Sequence, residues 1–221
     1  MVSRLYGWYH RRPWTRSKTP GFVRQMGVDL TKLTQSLGSY RSFADFIARP
    51  IDLARRPVAA DPATCVAPAD GRLLAYPVVA ADPCVSIKGG YLDRASLLAD
   101  PELARRFAGG PVLTVRLYLA DYHHFHFPDS GTPRDPRAVA GRCYAVTPYA
   151  RCWRVPFCAE NNRVVTCFES DHFGTIAIVE VGAFTVASVR QAFMSGRRCA
   201  KGAHKGWFEL GGSLIVLLFE P

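Results

Sequence analysis

Trp207-Phe208-Glu209-Leu210-Gly211-Gly212-Ser213-Leu214-Ile215-Val216-Leu217-Leu218-Phe219 is the stretch on which the rest of the chain hangs. Leu214 to Phe219 is an unbroken apolar run, the pattern of a buried core strand. Two glycines lead into one serine just before it. A Gly pair lets the backbone take positive φ and leaves a carbonyl without a shielding Cβ. A serine placed there can turn its Oγ on the Gly212 carbonyl, provided that a base accepts the proton. Taken alone, the same residues fit a bulge or tight turn before a last core strand.

Outward from that run the chain reads as β-rich. Val112–Ala120 alternates, with Leu113, Val115, Leu117 and Leu119 on one face and Thr114, Arg116 and Tyr118 on the other. Further strands are expected at Arg72–Val79, Pro83–Lys88, Arg142–Val146, Arg163–Glu169, Thr175–Val181, Phe184–Val189 and Gly206–Leu210. Helical pieces are expected at Ala95–Ala99 and Pro101–Phe107, the second opened by Asp100-Pro101. Ser42-Phe43-Ala44-Asp45 is a capping-box pattern that starts a helix over Phe43–Ala48, stopped by Pro50. Gly7, Pro13 and Pro20 divide the first twenty residues into short pieces, and Pro57 to Pro68 reads as an extended linker. The expected fold is α+β, mainly β: a barrel- or sandwich-like core over 57–221 behind a short helical segment, 1–56.

The 221 residues are 48% hydrophobic and 21% charged, which bounds a globular domain with a full core. No apolar run approaches the roughly 18 residues of a membrane span, and the N-terminus lacks the apolar block of a secretory signal. Seven scattered cysteines, none in a Cys-x-x-Cys pair, argue for reduced thiols facing a cytosol and against a zinc site or disulfide framework. The net charge of +10 is unevenly placed. Residues 1–28 carry Arg4, Arg11, Arg12, Arg16, Lys18 and Arg24 without an acid, interleaved with Tyr6, Trp8, Tyr9 and Trp14. That mixture suits the headgroup layer of an anionic membrane. An RNA-binding arm or a solvated basic tail would share the charge, but the chain has no RRM or KH signature, and nucleic acid is not expected as a partner.

Two more clusters carry chemistry. Asp121-Tyr122-His123-His124-Phe125-His126-Phe127-Pro128 gathers three of the six histidines directly after the best strand. In an extended strand His124 and His126 face one way and His123 the other. Histidine titrates near neutrality and can take a proton from a serine. A His-x-His metal site lacks a second ligand cluster, so no metal is expected; an exposed aromatic turn with incidental histidines is the plainer alternative. Ala67-Pro68-Ala69-Asp70-Gly71-Arg72 is by itself an ordinary Asp-Gly turn. Beside the histidines and the serine it becomes a carboxylate able to orient an imidazole, in the order Asp70, His126, Ser213.

At these residues the chain resembles the phosphatidylserine decarboxylases, which make their own pyruvoyl cofactor. The resemblance runs from about Gly27 to the end. It takes in Tyr40-Arg41-Ser42-Phe43-Ala44-Asp45-Phe46-Ile47, the Asp70 and histidine clusters, Asn161-Asn162-Arg163-Val164, Lys201-Gly202, Gly206-Trp207-Phe208 and Gly212-Ser213. It implies that Asp70 holds His126 in one tautomer and that His126 takes the proton of Ser213 Oγ. The oxygen attacks the Gly212 carbonyl in an N-to-O acyl shift. β-Elimination of the ester then cuts the chain into 1–212 and 213–221, and the dehydroalanine left at 213 rearranges and hydrolyses to a pyruvoyl group and ammonia. The short piece would stay bound through its apolar strand. The pyruvoyl carbonyl would engage the amine of the lipid's serine and act as an electron sink while CO2 leaves. His123 would assist that loss or the reprotonation; His124 has no implied role.

The resemblance also implies phosphatidylserine as substrate, phosphatidylethanolamine as product, and a peripheral place on the cytoplasmic face of the cell membrane. The oligomeric state stays open, a homodimer included. A relative of the same fold acting on another amino-acid headgroup, or an unprocessed lipid-binding relative, are the alternatives. Three positions depart from the family pattern: Leu214 stands where many members have Thr, and Asn162 and His204 stand where Glu is usual.

Overall fold

A computed structural model describes residues 2–77, 84–87, 90–144, 157–182, 189–210 and 213–221. The chain opens with α1 (Val2–His10), a 3-10 turn over Pro13–Lys18, α2 (Thr19–Met26) and α3 (Phe43–Ile47). Next come β1 (Arg72–Tyr76), β2 (Cys84–Ile87), β3 (Gly90–Asp93), α4 (Arg94–Leu98) and α5 (Pro101–Arg106). These are followed by β4 (Val112–Leu117), β5 (His124–His126), β6 (Gly131–Pro133), β7 (Arg137–Val139) and α6 (Phe157–Glu160). The last elements are β8 (Arg163–Ser170), β9 (Thr175–Gly182), β10 (Val189–Gln191), β11 (His204–Phe208) and β12 (Ser213–Phe219).

The strands form an antiparallel seven-stranded sheet in the order β1-β4-β12-β9-β8, with both β6 and β7 pairing with β8. A three-stranded sheet, β10-β11-β5, and a β2-β3 hairpin complete the set. Among the described residues the large sheet ends at β1 on one side and β6 and β7 on the other. It is open, so the sandwich-like form of the expected α+β fold is the one adopted and the barrel is not.

The unbroken apolar run of β12 has a direct cause in this layout. Leu214, Val216 and Leu218 pack with Val179, Val181, Leu97 and Leu98, while Ile215 and Leu217 pack with Val115, Phe127 and Phe168 on the other face. Both faces are core, so neither can be polar. Each such side chain withdrawn from water contributes about 1.5–3 kcal/mol. The alternation read in β4 is only half of its environment, because Val112 and Thr114 on its other face are buried too.

The N-terminal helices pack a third cluster in which Val23, Tyr40, Phe43, Phe46 and Ile47 meet Leu210. Ser42 caps α3, its Oγ accepting from Asp45 N at 3.2 Å, and Asp45 reaches back to Arg41 N at 2.8 Å rather than to the cap residue itself. One expectation is corrected here. Gly7 does not break the chain: α1 runs through it, at the modest cost of about 1 kcal/mol that glycine carries in a helix. The prolines begin elements instead of ending them, Pro13 opening the 3-10 turn and Pro20 sitting in the first turn of α2. Of the expected strand 184–189 only Val189 is described, and parts of 72–79, 83–88 and 142–146 also lie outside the described residues.

Candidate active site

Ser213 opens β12 and is paired by register with Leu117 on one side and Gly182 on the other. It is 1% exposed, and its Oγ is buried with no hydrogen-bond partner among the described residues. A buried hydroxyl without a partner costs about 1–3 kcal/mol, so it persists where something other than stability holds it. Its neighbour Gly182 is itself fixed. Asn161, fully buried, donates from Nδ2 to the Gly182 carbonyl at 3.0 Å and to the Tyr144 carbonyl at 2.9 Å. Gly182 N donates to the Asn162 carbonyl at 2.9 Å. The Asn161-Asn162 segment therefore braces the strand beside the serine. Asn162, where Glu is usual, accepts from Gly141 N at 2.7 Å through Oδ1. Gly211 and Gly212 lie outside the described residues.

The segment 66–70 bridges the histidine strand and the large sheet. Val66 N donates to the Pro128 carbonyl and His126 N to the Pro68 carbonyl, at 3.0 and 2.7 Å. Directly after this segment Gly71 takes φ +145, and a Cβ there would lie 2.5 Å from the Arg116 carbonyl oxygen. Only glycine lets the backbone come this close to the end of β4. Because Arg72 pairs with Arg116, and Leu117 with Ser213, Asp70 is delivered to the end of the sheet where Ser213 begins.

Asp70 and His126 line one open cleft of about 510 Å3 with Tyr122, Gly202 and Arg56. Asp70 bonds Arg56 Nη2 at 2.5 Å, and burial raises its pKa, against the opposing pull of that guanidinium. His126 Nδ1–H donates to the Gly202 carbonyl at 2.9 Å, which leaves the lone pair on Nε2. Nε2 is buried and has no partner. Burial lowers the His126 pKa, so the ring is neutral at pH 7; the nearby Asp70 charge acts the other way. In this arrangement, then, Asp70 bonds Arg56 and not His126, and neither His126 Nε2 nor Ser213 Oγ has closed a hydrogen bond.

His123 directly precedes β5, so the alternation expected of an extended strand does not fix its side. It is fully buried, its Nδ1–H donating to the Asp121 carbonyl at 2.9 Å. His124, without a role in the sequence reading, donates from Nε2 to the Ala48 carbonyl at 2.9 Å. Its Nδ1 must then accept from His204 Nε2, also 2.9 Å away. Burial first, then the neighbouring histidines, push the His124 pKa down to about 4. His204, where Glu is usual, thus extends a stack of Tyr122, His124 and Trp207 rings. The rings stack and do not converge: among the described residues no three metal-ligating side chains gather around one point.

Sequence reasoning missed two residues of this site. Gly202 was quoted only as part of a motif, and its φ of +75 is the local signal that its carbonyl is specially aimed. Arg56 stands at the end of the expected 1–56 segment, just before the linker, and nothing in its sequence context marks it.

A buried, unpartnered serine hydroxyl together with a neutral imidazole in an open cleft is the equipment of an enzyme. Comparison with known proteins gives the kind. A sequence model described as Phosphatidylserine decarboxylase matches residues 43–221. The phosphatidylserine decarboxylase proenzyme of Chlamydia felis is 38% identical over 221 residues, covering 100% of this chain and 74% of that protein. The proenzyme of the same name from Chlamydia trachomatis serovar L2 is 38% identical over 221 residues, covering 100% of this chain and 73% of that protein. The one from Clostridium perfringens is 36% identical over 220 residues, covering 100% of this chain and 75% of that protein. The chain belongs to the phosphatidylserine decarboxylase family and is a carboxy-lyase.

Proposed function

We propose that the chain cuts itself between Gly212 and Ser213, converts Ser213 to a pyruvoyl group, and uses it to turn phosphatidylserine into phosphatidylethanolamine and CO2. The observation that carries this is Ser213 itself: a fully buried hydroxyl without a partner, at the head of a strand held on both sides. The pyruvoyl group would supply an electron sink for the carboxylate's electrons. His126 is the base for the Ser213 proton. Its Nδ1–H is tied to the Gly202 carbonyl, so the lone pair sits on Nε2, where burial keeps it unprotonated. Asp70 supplies negative charge beside the imidazole as that proton arrives. His123, fixed in one tautomer by the Asp121 carbonyl, is the group that assists decarboxylation or reprotonation. After cleavage β12 stays in place because six of its seven residues are buried between β4 and β9.

In the same reading residues 1–56 hold the core, 57–221, at an anionic lipid surface on the cytoplasmic face of the cell membrane. Leu5, Trp8 and Trp14 are 58%, 53% and 59% exposed, and Arg12 lies over the Trp8 ring at 4.0 Å. Exposed indole with a cation stacked on it suits the boundary between headgroup and acyl chain. Among the described residues no helix is long and apolar enough to cross a membrane.

Intact mass spectrometry of the wild type beside Ser213→Ala tests the chemistry. Two wild-type species are expected, 1–212 and a pyruvoyl-blocked 213–221, against one uncut chain for the variant. One uncut chain in both would sink the cofactor assignment. Flotation with phosphatidylserine-containing vesicles tests the surface: Trp8→Ala with Trp14→Ala should weaken binding several-fold, and unchanged binding removes that role.

A further inference from the structure

Arg56 occupies a place that the self-cleavage chemistry does not explain. It lines the 510 Å3 cleft with His126, and it also lines a second cavity of about 240 Å3 whose wall includes Lys32, Arg49 and Asp121. Among the described residues only Arg56, Asp70 and Tyr122 face both, so they form the partition between the two spaces. Of the other cations there, one is buried against a backbone carbonyl and two pair with an acid three residues before them, away from Asp70. Arg49 is 4% exposed and donates to the Ala120 carbonyl at 2.6 Å; Lys32 pairs with Asp29 at 3.2 Å; Arg55 is held by Asp52 at 3.6 Å and Thr31 Oγ1 at 3.3 Å. Arg56 has one partner, Asp70, and its side chain is 40% exposed.

A part-exposed ion pair of this kind contributes little to stability, so folding does not require it. It does have a consequence for the site. While Asp70 is held by Arg56 it makes no bond to His126, whose Nε2 is left unpartnered. A guanidinium binds phosphate through two parallel N–H···O bonds, a stronger arrangement than one contact to a carboxylate. An anion entering the cleft can therefore draw Arg56 away and return Asp70 to the imidazole.

We propose that Arg56 is the phosphate-binding residue of the cleft, and that the phosphodiester of the lipid headgroup takes it from Asp70. This rests on the decarboxylase reading above and adds to it the contact that recognises the substrate's phosphate. The amine and carboxylate of the headgroup would then point toward His126, while the apolar wall formed by Leu53, Pro57, Val58 and Val66 lies along the glycerol side.

The test uses the full-length, uncut Ser213→Ala chain, so it does not depend on self-processing. Calorimetric titrations with sn-glycero-3-phospho-L-serine, inorganic phosphate and L-serine are compared with the same chain carrying Arg56→Gln or Arg56→Lys. Glycerophosphoserine should bind more tightly than inorganic phosphate. Arg56→Gln should weaken both by at least about 10-fold, the scale of a lost charge-assisted pair. Arg56→Lys, which keeps the charge and loses the fork, should fall between, and L-serine should not respond to either change. Unchanged affinity in a folded Arg56→Gln chain overturns the proposal, as does the failure of every phosphate probe to bind. Inorganic phosphate binding as tightly as glycerophosphoserine overturns the assignment to a lipid headgroup. A wild type that never cuts itself would defeat the pyruvoyl reading but leave these titrations standing.

Discussion

The seven-stranded sheet and the three-stranded sheet are built on opposite principles. In the first, β12 and β9 are buried on both faces, and the only titratable side chain in that pair, Glu180, is fully buried. In the second, β5 and β11 carry His124, His126, His204 and Lys205 among aromatic rings beside an open cleft. The large sheet holds the serine rigidly; the small one offers groups that can gain or lose a proton. Chemistry between them requires that the two stay in fixed relation. A buried polar seam spans them: Lys205 Nζ on β11 lies 2.6 Å from Glu180 on β9, 3.1 Å from Thr166 Oγ1 on β8 and 2.9 Å from Gln191 Oε1 on β10.

Breaking that seam should give the largest effect. Lys205→Met leaves Glu180 buried and uncompensated, with an expected loss of about 3–5 kcal/mol in urea unfolding. Adding Glu180→Leu should restore most of it, since a buried pair replaced by apolar groups is often neutral. If the stable double variant also self-cleaves at the wild-type rate, the seam is not what keeps the two sheets in working register.

The two sheets also differ in how far they could be read from sequence. Leu214–Phe219 and Ile176–Val179 declare themselves, because double-sided burial leaves a continuous apolar run that no loop carries. The cleft side is legible only as residue types. His126, Asp70 and Ser213 could be named, but the Arg56–Asp70 pair and the Gly202–His126 bond join residues 14 and 76 positions apart. No local periodicity encodes such contacts. Gly7 misled for the opposite reason: its propensity is a local cost of about 1 kcal/mol, and packing around His10 and Phe43 outweighs it.

Proton uptake offers a way to sharpen the contrast. His124 has a folded pKa of about 4 against an ordinary 6.5. Between those values the unfolded chain binds more protons than the folded one, so stability should fall as pH drops from about 6.5 to about 4. Burial also lowers the pKa values of His126 and His204, and they act in the same direction. Asp70 acts in the opposite one, since its pKa is raised by burial. The His124 share alone is about 3 kcal/mol. His124→Gln should flatten the slope of unfolding free energy against pH. An equal slope in the variant would place the proton uptake at groups other than His124.

The smallest expected effect probes the most specific claim. Gly202 holds φ +75, and a Cβ would come within 2.6 Å of Val58 Cγ2, an exposed side chain that can move aside. Gly202→Ala should therefore cost only about 1–2 kcal/mol of stability, the price of a left-handed backbone with a side chain. If the Gly202 carbonyl is what keeps the proton on His126 Nδ1 and the lone pair on Nε2, a small displacement of that carbonyl matters more to chemistry than to folding. Self-cleavage, followed by intact mass over time, should slow by about 10-fold, more than the stability change implies. Val58→Ala in the same chain removes the clash but not the backbone strain. Recovery of cleavage in that double variant would assign the defect to Val58. Continued slow cleavage would leave it with the carbonyl, and so with the tautomer it sets.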